Sequence, residues 1–175
     1  KSSDMLVETD QSPPAFQIQE TDSGLVVETE RLRVEFPRQP WGMKVFDRSA
    51  AGTDLPIFQQ QIKDRAYGQG FEVPPIGFVP REEGGFEVYE SVAVAPGEAF
   101  YGFGERFTAL DKWGQELPFW AVDSGNVSSY RSYKNIPFFI NSAGYGVFVH
   151  SSYPMVFRMG SESNISYSFH ILDEQ

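Results

Sequence analysis

Residues 165–172 alternate between apolar and polar side chains more regularly than any other part of this sequence. The stretch reads Ile165-Ser166-Tyr167-Ser168-Phe169-His170-Ile171-Leu172. Successive side chains of an extended chain point to opposite faces, so the odd-numbered residues, all apolar or aromatic, would share one face. The alternation predicts a β-strand near the end of the chain with one buried face.

Other short segments of strand character lie along the chain before this stretch. Apolar residues alternate with charged ones between Leu32 and Phe36, and Pro37 ends the pattern. Many short strands separated by turns are typical of an antiparallel β-sandwich. The predicted fold class is therefore all-β, with one domain over residues 1–175. Further strands are predicted over residues 41–47, 86–94, 135–141, 145–150 and 155–159.

The connections between these segments are rich in turn-forming residues. The chain has 16 glycines and 12 prolines, which favour turns and disfavour long helices. Residues 48–54 and 82–85 are predicted turns, and residues 68–80 a loop. Residues 57–66 fit either a short helix or a strand.

Composition excludes several classes of function. The 175 residues include no cysteine, which excludes disulfides, zinc–thiolate centres and cysteine nucleophiles. Fourteen Lys and Arg stand against 24 Asp and Glu, a net charge of -10 that would repel nucleic acid and anionic membrane surfaces. The two histidines of the chain, His150 and His170, cannot make a multi-histidine metal site. We expect no cofactor, no metal, no nucleic-acid partner and no membrane partner.

The glycines of the run Tyr101-Gly102-Phe103-Gly104-Glu105-Arg106 invite two interpretations. A phosphate cradle would need a glycine-rich turn that leads into a helix, whereas both flanks here have strand character. The alternative is a close approach of two backbones, with Glu105 and Arg106 fixed by hydrogen bonds. The flanks and the acidic composition favour the close approach.

Residues 114–134 form a long polar segment without a clear period, which predicts a loop of functional interest. Within it, Asp123 follows the aromatic pair Phe119-Trp120 and precedes Ser124-Gly125. A carboxylate that accepts sugar hydroxyls beside an aromatic face suits saccharide recognition. An aspartate before Ser-Gly also suits a turn in which its side chain bonds the backbone, and local chemistry leaves both roles open.

Several motifs of the second half occur together in one order, and they resemble the N-terminal domain of glycoside hydrolase family 31, the α-glucosidases and α-xylosidases. The resemblance is dense from about residue 99 to residue 172. The motifs are Tyr101-Gly102-Phe103-Gly104-Glu105-Arg106-Phe107, Gly114-Gln115, Trp120-x-x-Asp123, Tyr133-Lys134-Asn135-Ile136-Pro137-Phe138, Gly144-Tyr145-Gly146-Val147-Phe148-Val149 and Gly160-Ser161-Glu162.

The resemblance implies a β-sandwich similar to galactose mutarotases that packs against a catalytic (β/α)8 barrel. In that family the barrel carries both catalytic aspartates of a retaining mechanism, and its nucleophile motif, a Trp-x-Asp-Met-Asn-Glu-like run, is absent here. The resemblance thus implies an accessory domain of an α-glycosidase, inactive by itself. The partners that it implies are the parent's own barrel and a saccharide with terminal α-linked glucose or xylose.

For the site, the resemblance implies that residues 114–133 extend over the mouth of the barrel's pocket. Asp123 and Trp120 are then the expected substrate-binding residues, and an exposed apolar surface would meet the barrel. Two alternatives remain at this point. One is a stand-alone carbohydrate-binding module with an exposed platform of Trp113, Phe119 and Trp120, and the other is a scaffold without a ligand.

Overall fold

The computed structural model describes residues 12, 14–49, 55–60, 75–82, 84–123, 125 and 131–174. Within these ranges the chain forms thirteen β-strands and no helix, as the all-β prediction requires. The strands are β1 (Gln17–Thr21), β2 (Gly24–Glu28), β3 (Leu32–Pro37), β4 (Lys44–Asp47), β5 (Phe58–Gln59), β6 (Ile76–Pro80), β7 (Phe86–Ala93), β8 (Phe100–Gly104), β9 (Gln115–Phe119), β10 (Asn135–Asn141), β11 (Gly146–Phe148), β12 (Met155–Met159) and β13 (Ser166–Glu174).

The strands form three antiparallel sheets. The first sheet has the order β1-β2-β3-β4-β5, the second β11-β10-β8 and the third β6-β7-β13-β12-β9. The alternating stretch at the end of the chain is β13, which lies at the centre of the third sheet between β7 and β12. Its residues Tyr167, Phe169 and Ile171 are buried, as the alternation predicted.

The second and third sheets pack face to face around an aromatic core. Phe103 of β8 lies with its ring centroid 4.9 Å from that of Phe157 on β12 and 5.6 Å from that of Phe119 on β9. Tyr167 of β13 meets Phe139 of β10 edge to face at 5.3 Å. These ring pairs stabilise the sandwich beyond the burial of their area.

The first sheet contacts the sandwich through its last strand. Phe58 of β5 packs edge to face on Tyr145 at 5.5 Å, and Gln60 forms a backbone bridge with Val92 of β7. The side chain of Gln60 is buried and donates a 2.8 Å hydrogen bond to Glu90. A polar contact thus lies at the junction between the first sheet and the sandwich.

Two predicted loops contain strands. Residues 76–80 of the predicted loop form β6, and residues 115–119 of the predicted functional loop form β9. Both lie at the edges of the third sheet, where a strand pairs on one side only and tolerates proline, so Pro118 fits β9. Gly77 fits β6 because the ring of Tyr89 occupies the space where a Cβ would be.

The remaining predictions differ only at the strand ends. The strand predicted over 41–47 begins at Lys44, and the one predicted over 145–150 is limited to Gly146–Phe148. Of the ambiguous segment 57–66, Phe58–Gln59 is a strand and residues 61–66 lie outside the described part, as do 50–54 and 68–74. Among the described residues, no helix is long and apolar enough to cross a membrane.

Candidate functional site

The glycine run brings two backbones into contact at the end of β8. Gly102 and Gly104 have positive φ angles of 135° and 80°, and Phe103 between them has φ 70°. A Cβ at Gly102 would lie 2.7 Å from the carbonyl oxygen of Phe138, and one at Gly104 would collide with the carbonyl oxygen of Lys134. The close approach that the flanks favoured is confirmed, and it seats β8 tightly against β10.

Arg106 contacts the ends of three strands from a half-buried position, and its Nε donates to the carbonyl of Phe103 on β8 at 3.3 Å. Its guanidinium donates to the carbonyl of Pro118 at 2.9 Å and to the side chain of Asn135 at 2.8 Å, and it lies 4.4 Å from the ring centroid of Phe119. Burial lowers its pKa to about 10, so it remains a cation at neutral pH. The charge thus holds the end of β9 beside the start of β10.

The segment after β9 runs alongside the segment before β10. Ala121 and Ser132 form a parallel bridge, and the amide of Val122 donates to the carbonyl of Ser132 at 3.1 Å. The Ser132 hydroxyl donates in turn to the carbonyl of Glu105 at 2.7 Å. This ladder, extending from the strand ends that Arg106 holds, places Trp120 and Asp123 on a supported stretch of backbone.

An open cleft of about 330 Å³, here called the aromatic cleft, lies beside this ladder. Trp120 is 63% exposed on its wall, and Tyr133 and Tyr153 are the other exposed rings. The lining residues are Phe119, Trp120, Ala121, Tyr133, Asn135, Pro137, Ser151, Ser152, Tyr153, Pro154 and Met155. Exposed ring faces with hydroxyl and amide groups between them suit an uncharged, hydroxyl-rich ligand.

Asp123 is exposed, and one carboxylate oxygen accepts a 3.0 Å hydrogen bond from the backbone amide of Gly125. This is the turn contact that the Asp-Ser-Gly sequence predicted. Asp123 does not line the aromatic cleft, whereas Trp120, three residues earlier, does. The turn bond fixes the carboxylate in an exposed position, so the turn role and a role in ligand binding are compatible.

The three-ring platform of the binding-module alternative is wrong. Phe119 is buried in the sandwich core beside Phe157 and Phe103. Trp113 stacks on buried Phe100 with a centroid distance of 5.7 Å. Of the three proposed rings, only Trp120 is exposed, because Phe119 takes the inward position of β9 while Trp120 lies just beyond the strand.

Sequence reasoning missed Tyr153 and Asn135 as parts of the aromatic cleft. Tyr153 belongs to the connection between β11 and β12, and only the pairing of β9 with β12 brings that connection to the end of β9. Its neighbours Ser151 and Ser152 carry no periodic signal. Tyr133 could have been found, since it is the first residue of the motif of residues 133–138 and also lies within the long polar segment.

The described residues of the aromatic cleft offer rings, hydroxyls and amides as possible ligand contacts. In the described part of the chain, no cluster of three or more His, Asp or Glu residues could hold a metal ion. Nor does the aromatic cleft have a carboxylate among its lining residues, whereas glycoside hydrolysis needs two across the bond. The geometry supports recognition of a ligand by stacking and hydrogen bonds.

The sequence also matches a known protein family. Residues 1–157 match the model of the glycosyl hydrolase 31 N-terminal galactose mutarotase-like domain. The chain belongs to this family. The family match thus accounts for the antiparallel sandwich that the described residues form.

Individual proteins with sequences similar to this chain include two α-xylosidases. The chain is 47% identical over 74 residues, 42% of its length, to the α-xylosidase XylQ of Lactiplantibacillus pentosus. It is 48% identical over 66 residues, 38% of its length, to an α-xylosidase of Emericella nidulans. These matches span only 10% and 8% of the two relatives.

Among solved structures, the family 31 dextranase of Flavobacterium johnsoniae, determined with glucose, superposes with a TM-score of 0.71 at 28% identity. That match covers 89% of this chain and 17% of the dextranase. The chain therefore covers between 8% and 17% of the length of these relatives. The antiparallel sandwich predicted from the alternating strands is the family's fold.

Proposed function

We propose that residues 1–175 form the accessory domain of a retaining α-glycosidase and that the parent enzyme acts on saccharides with terminal α-linked xylose or glucose. The family match over residues 1–157 and the identity to two α-xylosidases support this reading. A dextranase with the same domain, determined with glucose, supports a saccharide ligand. The hydrolysis itself belongs to a catalytic barrel that this domain supports.

The observation that carries a role in substrate binding is the exposure of Trp120 on the aromatic cleft. An apolar ring of this size exposed beside a cleft gains most from stacking on the C–H face of a sugar ring. Asp123, held by its turn bond, would accept a hydroxyl hydrogen bond from the same saccharide. The segment from β9 to Asp123 is therefore the part that the domain lends to the substrate pocket.

A matched pair of exposed aromatic residues tests this role in the full-length enzyme. Trp120→Ala should lower kcat/KM for an aryl α-xyloside or α-glucoside by roughly tenfold, because ~1.4 kcal/mol of lost stacking corresponds to one factor of ten. Phe78→Ala, at the opposite edge of the third sheet, removes an equally exposed ring and should leave the kinetics unchanged.

The same assay on the 175-residue chain alone should give no turnover. Equal effects of the two substitutions would contradict the role of Trp120. Turnover by the isolated chain would contradict the accessory role.

A further inference from the structure

A second cleft lies on the first sheet, at the turn that follows β3. This cleft, here called the Trp41 groove, has a volume of about 490 Å³. Trp41 is 48% exposed at its side, although tryptophan is a ring that folding usually covers. The lining residues are Glu20, Leu25, Phe36, Pro37, Arg38 and Trp41.

Strand register builds the groove. Leu25 of β2 is paired directly with Glu20 of β1 on one side and with Phe36 of β3 on the other. Directly paired residues share a face of the sheet, so the three side chains form one row. The turn after β3 closes with a backbone bridge between Arg38 and Trp41, which brings both to the end of that row.

The polar side of the groove is an ion pair. The guanidinium of Arg38 donates to the carboxylate of Glu20 at 2.5 Å, and both side chains are largely exposed. An exposed ion pair contributes little to folding. The ion pair places the Glu20 carboxylate, which only accepts hydrogen bonds, beside the Arg38 guanidinium, which only donates them. Both lie next to the exposed indole of Trp41.

That combination selects a ligand class. Two neighbouring sugar hydroxyls can donate to Glu20 and accept from Arg38, while a C–H face of the ring stacks on Trp41. The pair is neutral as a unit and the chain carries a net charge of -10, so an anionic ligand is disfavoured. The volume lies in the range of small-ligand sites and accommodates a short oligosaccharide.

We propose that the Trp41 groove is a second saccharide-binding site, separate from the aromatic cleft, for neutral oligosaccharides. The choice of α-linked sugars as ligands rests on the proposed function, whereas the groove itself does not. Such a site would hold a long substrate chain at a second point. Binding of the same saccharide at the Trp41 groove would raise its effective concentration at the aromatic cleft. The overall affinity for a long saccharide would then rise without any new contact in the aromatic cleft.

The three tryptophans of the chain make the two sites separately visible. In the ¹⁵N-labelled 175-residue chain each indole N–H gives one NMR signal, assigned with Trp41→Phe, Trp113→Phe and Trp120→Phe variants. Titration with isomaltotriose or maltotriose should shift the Trp41 signal saturably. The core-packed Trp113 signal should stay in place, and glycerol at the same hydroxyl concentration should shift neither.

Variants separate this inference from the proposed function. In Trp120→Phe the dissociation constant read from the Trp41 signal should remain within about twofold, as expected for independent sites. Arg38→Gln, at an exposed side chain, should weaken it about tenfold, because a hydrogen bond to a charged group is lost. Phe16→Ala removes an exposed ring that lies just before β1 and does not line the groove, and it should leave this dissociation constant unchanged.

A Trp41 signal that stays in place, or that loses its response in the Trp120 variant, would overturn the second site and leave the aromatic cleft as proposed. A response at Trp41 with none at Trp120 would support the second site and count against the first. Equal binding by Arg38→Gln and the unaltered chain would overturn the recognition by the ion pair.

Discussion

Asp123 and Asp47 make the same contact in different surroundings. Each accepts a backbone amide two residues later, Asp123 from Gly125 at 3.0 Å and Asp47 from Ser49 at 2.8 Å. Asp47 accepts the Ser49 hydroxyl as well, and these hydrogen bonds lower its pKa. Asp123 differs because it lies three residues after the exposed Trp120. This proximity is the reason for proposing that Asp123 binds the saccharide.

The comparison of Asp123 with Asp47 leads to a prediction for the full-length enzyme. Asp123→Ala should lower kcat/KM roughly ten- to a hundredfold, the effect of losing one charged hydrogen bond of ~1.5–3 kcal/mol to the substrate. Its melting temperature should change little, because the side chain is exposed. The measurement is steady-state kinetics with an aryl α-glycoside, together with thermal unfolding of the same preparations.

Asp47→Ala is the matched control, since it removes an aspartate of the same turn type on the first sheet. It should leave kcat/KM unaltered. Unchanged kinetics in Asp123→Ala, or a loss that parallels unfolding, would restrict Asp123 to the turn.

At the scale of elements, the contact between β8 and the start of β10 depends on Gly104. We compare Gly104→Ala with Gly97→Ala, because both glycines have positive φ angles, 80° and 87°. A Cβ at Gly97 meets open space, so its cost is the left-handed backbone alone, about 1–2 kcal/mol. A Cβ at Gly104 meets the Lys134 carbonyl, which adds a further ~1–3 kcal/mol of overpacking.

Urea unfolding of the two variants measures the difference. Gly104→Ala should lose clearly more free energy of unfolding than Gly97→Ala. Equal losses would show that the two strands can separate without cost and would remove the physical explanation for the glycine run.

The junction of the first sheet with β7 predicts a pH dependence. Burial raises the pKa of Glu90 above its usual 4.5, and the hydrogen bond from Gln60 only partly opposes this. The folded chain therefore keeps this proton at pH values where the unfolded chain has lost it. The destabilising contribution of charged Glu90 is fully present above the raised pKa and disappears as the pH falls through that pKa toward 4.5.

Glu90→Gln removes the charge. The amide of the new glutamine side chain can also donate a hydrogen bond to Gln60 Oε1, which is buried and has no partner in the described part of the chain. At pH 7 the variant should melt about 2–4 °C above the unaltered chain, the shift expected for about 1 kcal/mol. The gap should shrink as the pH falls toward 4.5. Thermal unfolding across this range checks it, and a gap independent of pH would contradict the role of Glu90.

The same elements show what the sequence could reveal. Strands with regular alternation, such as β3 and β13, were predicted at nearly their observed bounds, because one buried face imposes a period of two. The edge strands β6 and β9 were missed, since edge pairing tolerates Gly77 and Pro118 and so erases the signal. For the site, Trp120 was found from its local sequence, whereas Tyr153 reaches the aromatic cleft only through tertiary pairing.

At the scale of the whole molecule, the second sheet leaves one face uncovered. Along β10 the buried Phe139 alternates with exposed Ile136, Phe138 and Ile140. Phe148 of β11 is paired directly with Phe138 and shares that face. Exposed apolar rows of this kind mark interaction surfaces, which supports the proposal that a further domain of the parent enzyme packs there.

We propose that this domain lends Trp120 and Asp123 to the saccharide pocket of a larger glycosidase. A crystal structure of the full-length enzyme with a bound α-linked oligosaccharide tests it most directly. We expect a sugar ring against the indole of Trp120 and a sugar hydroxyl within about 2.5–3.0 Å of an Asp123 carboxylate oxygen, the normal O–H···O range. A saccharide bound in the catalytic pocket with neither residue in contact would contradict it.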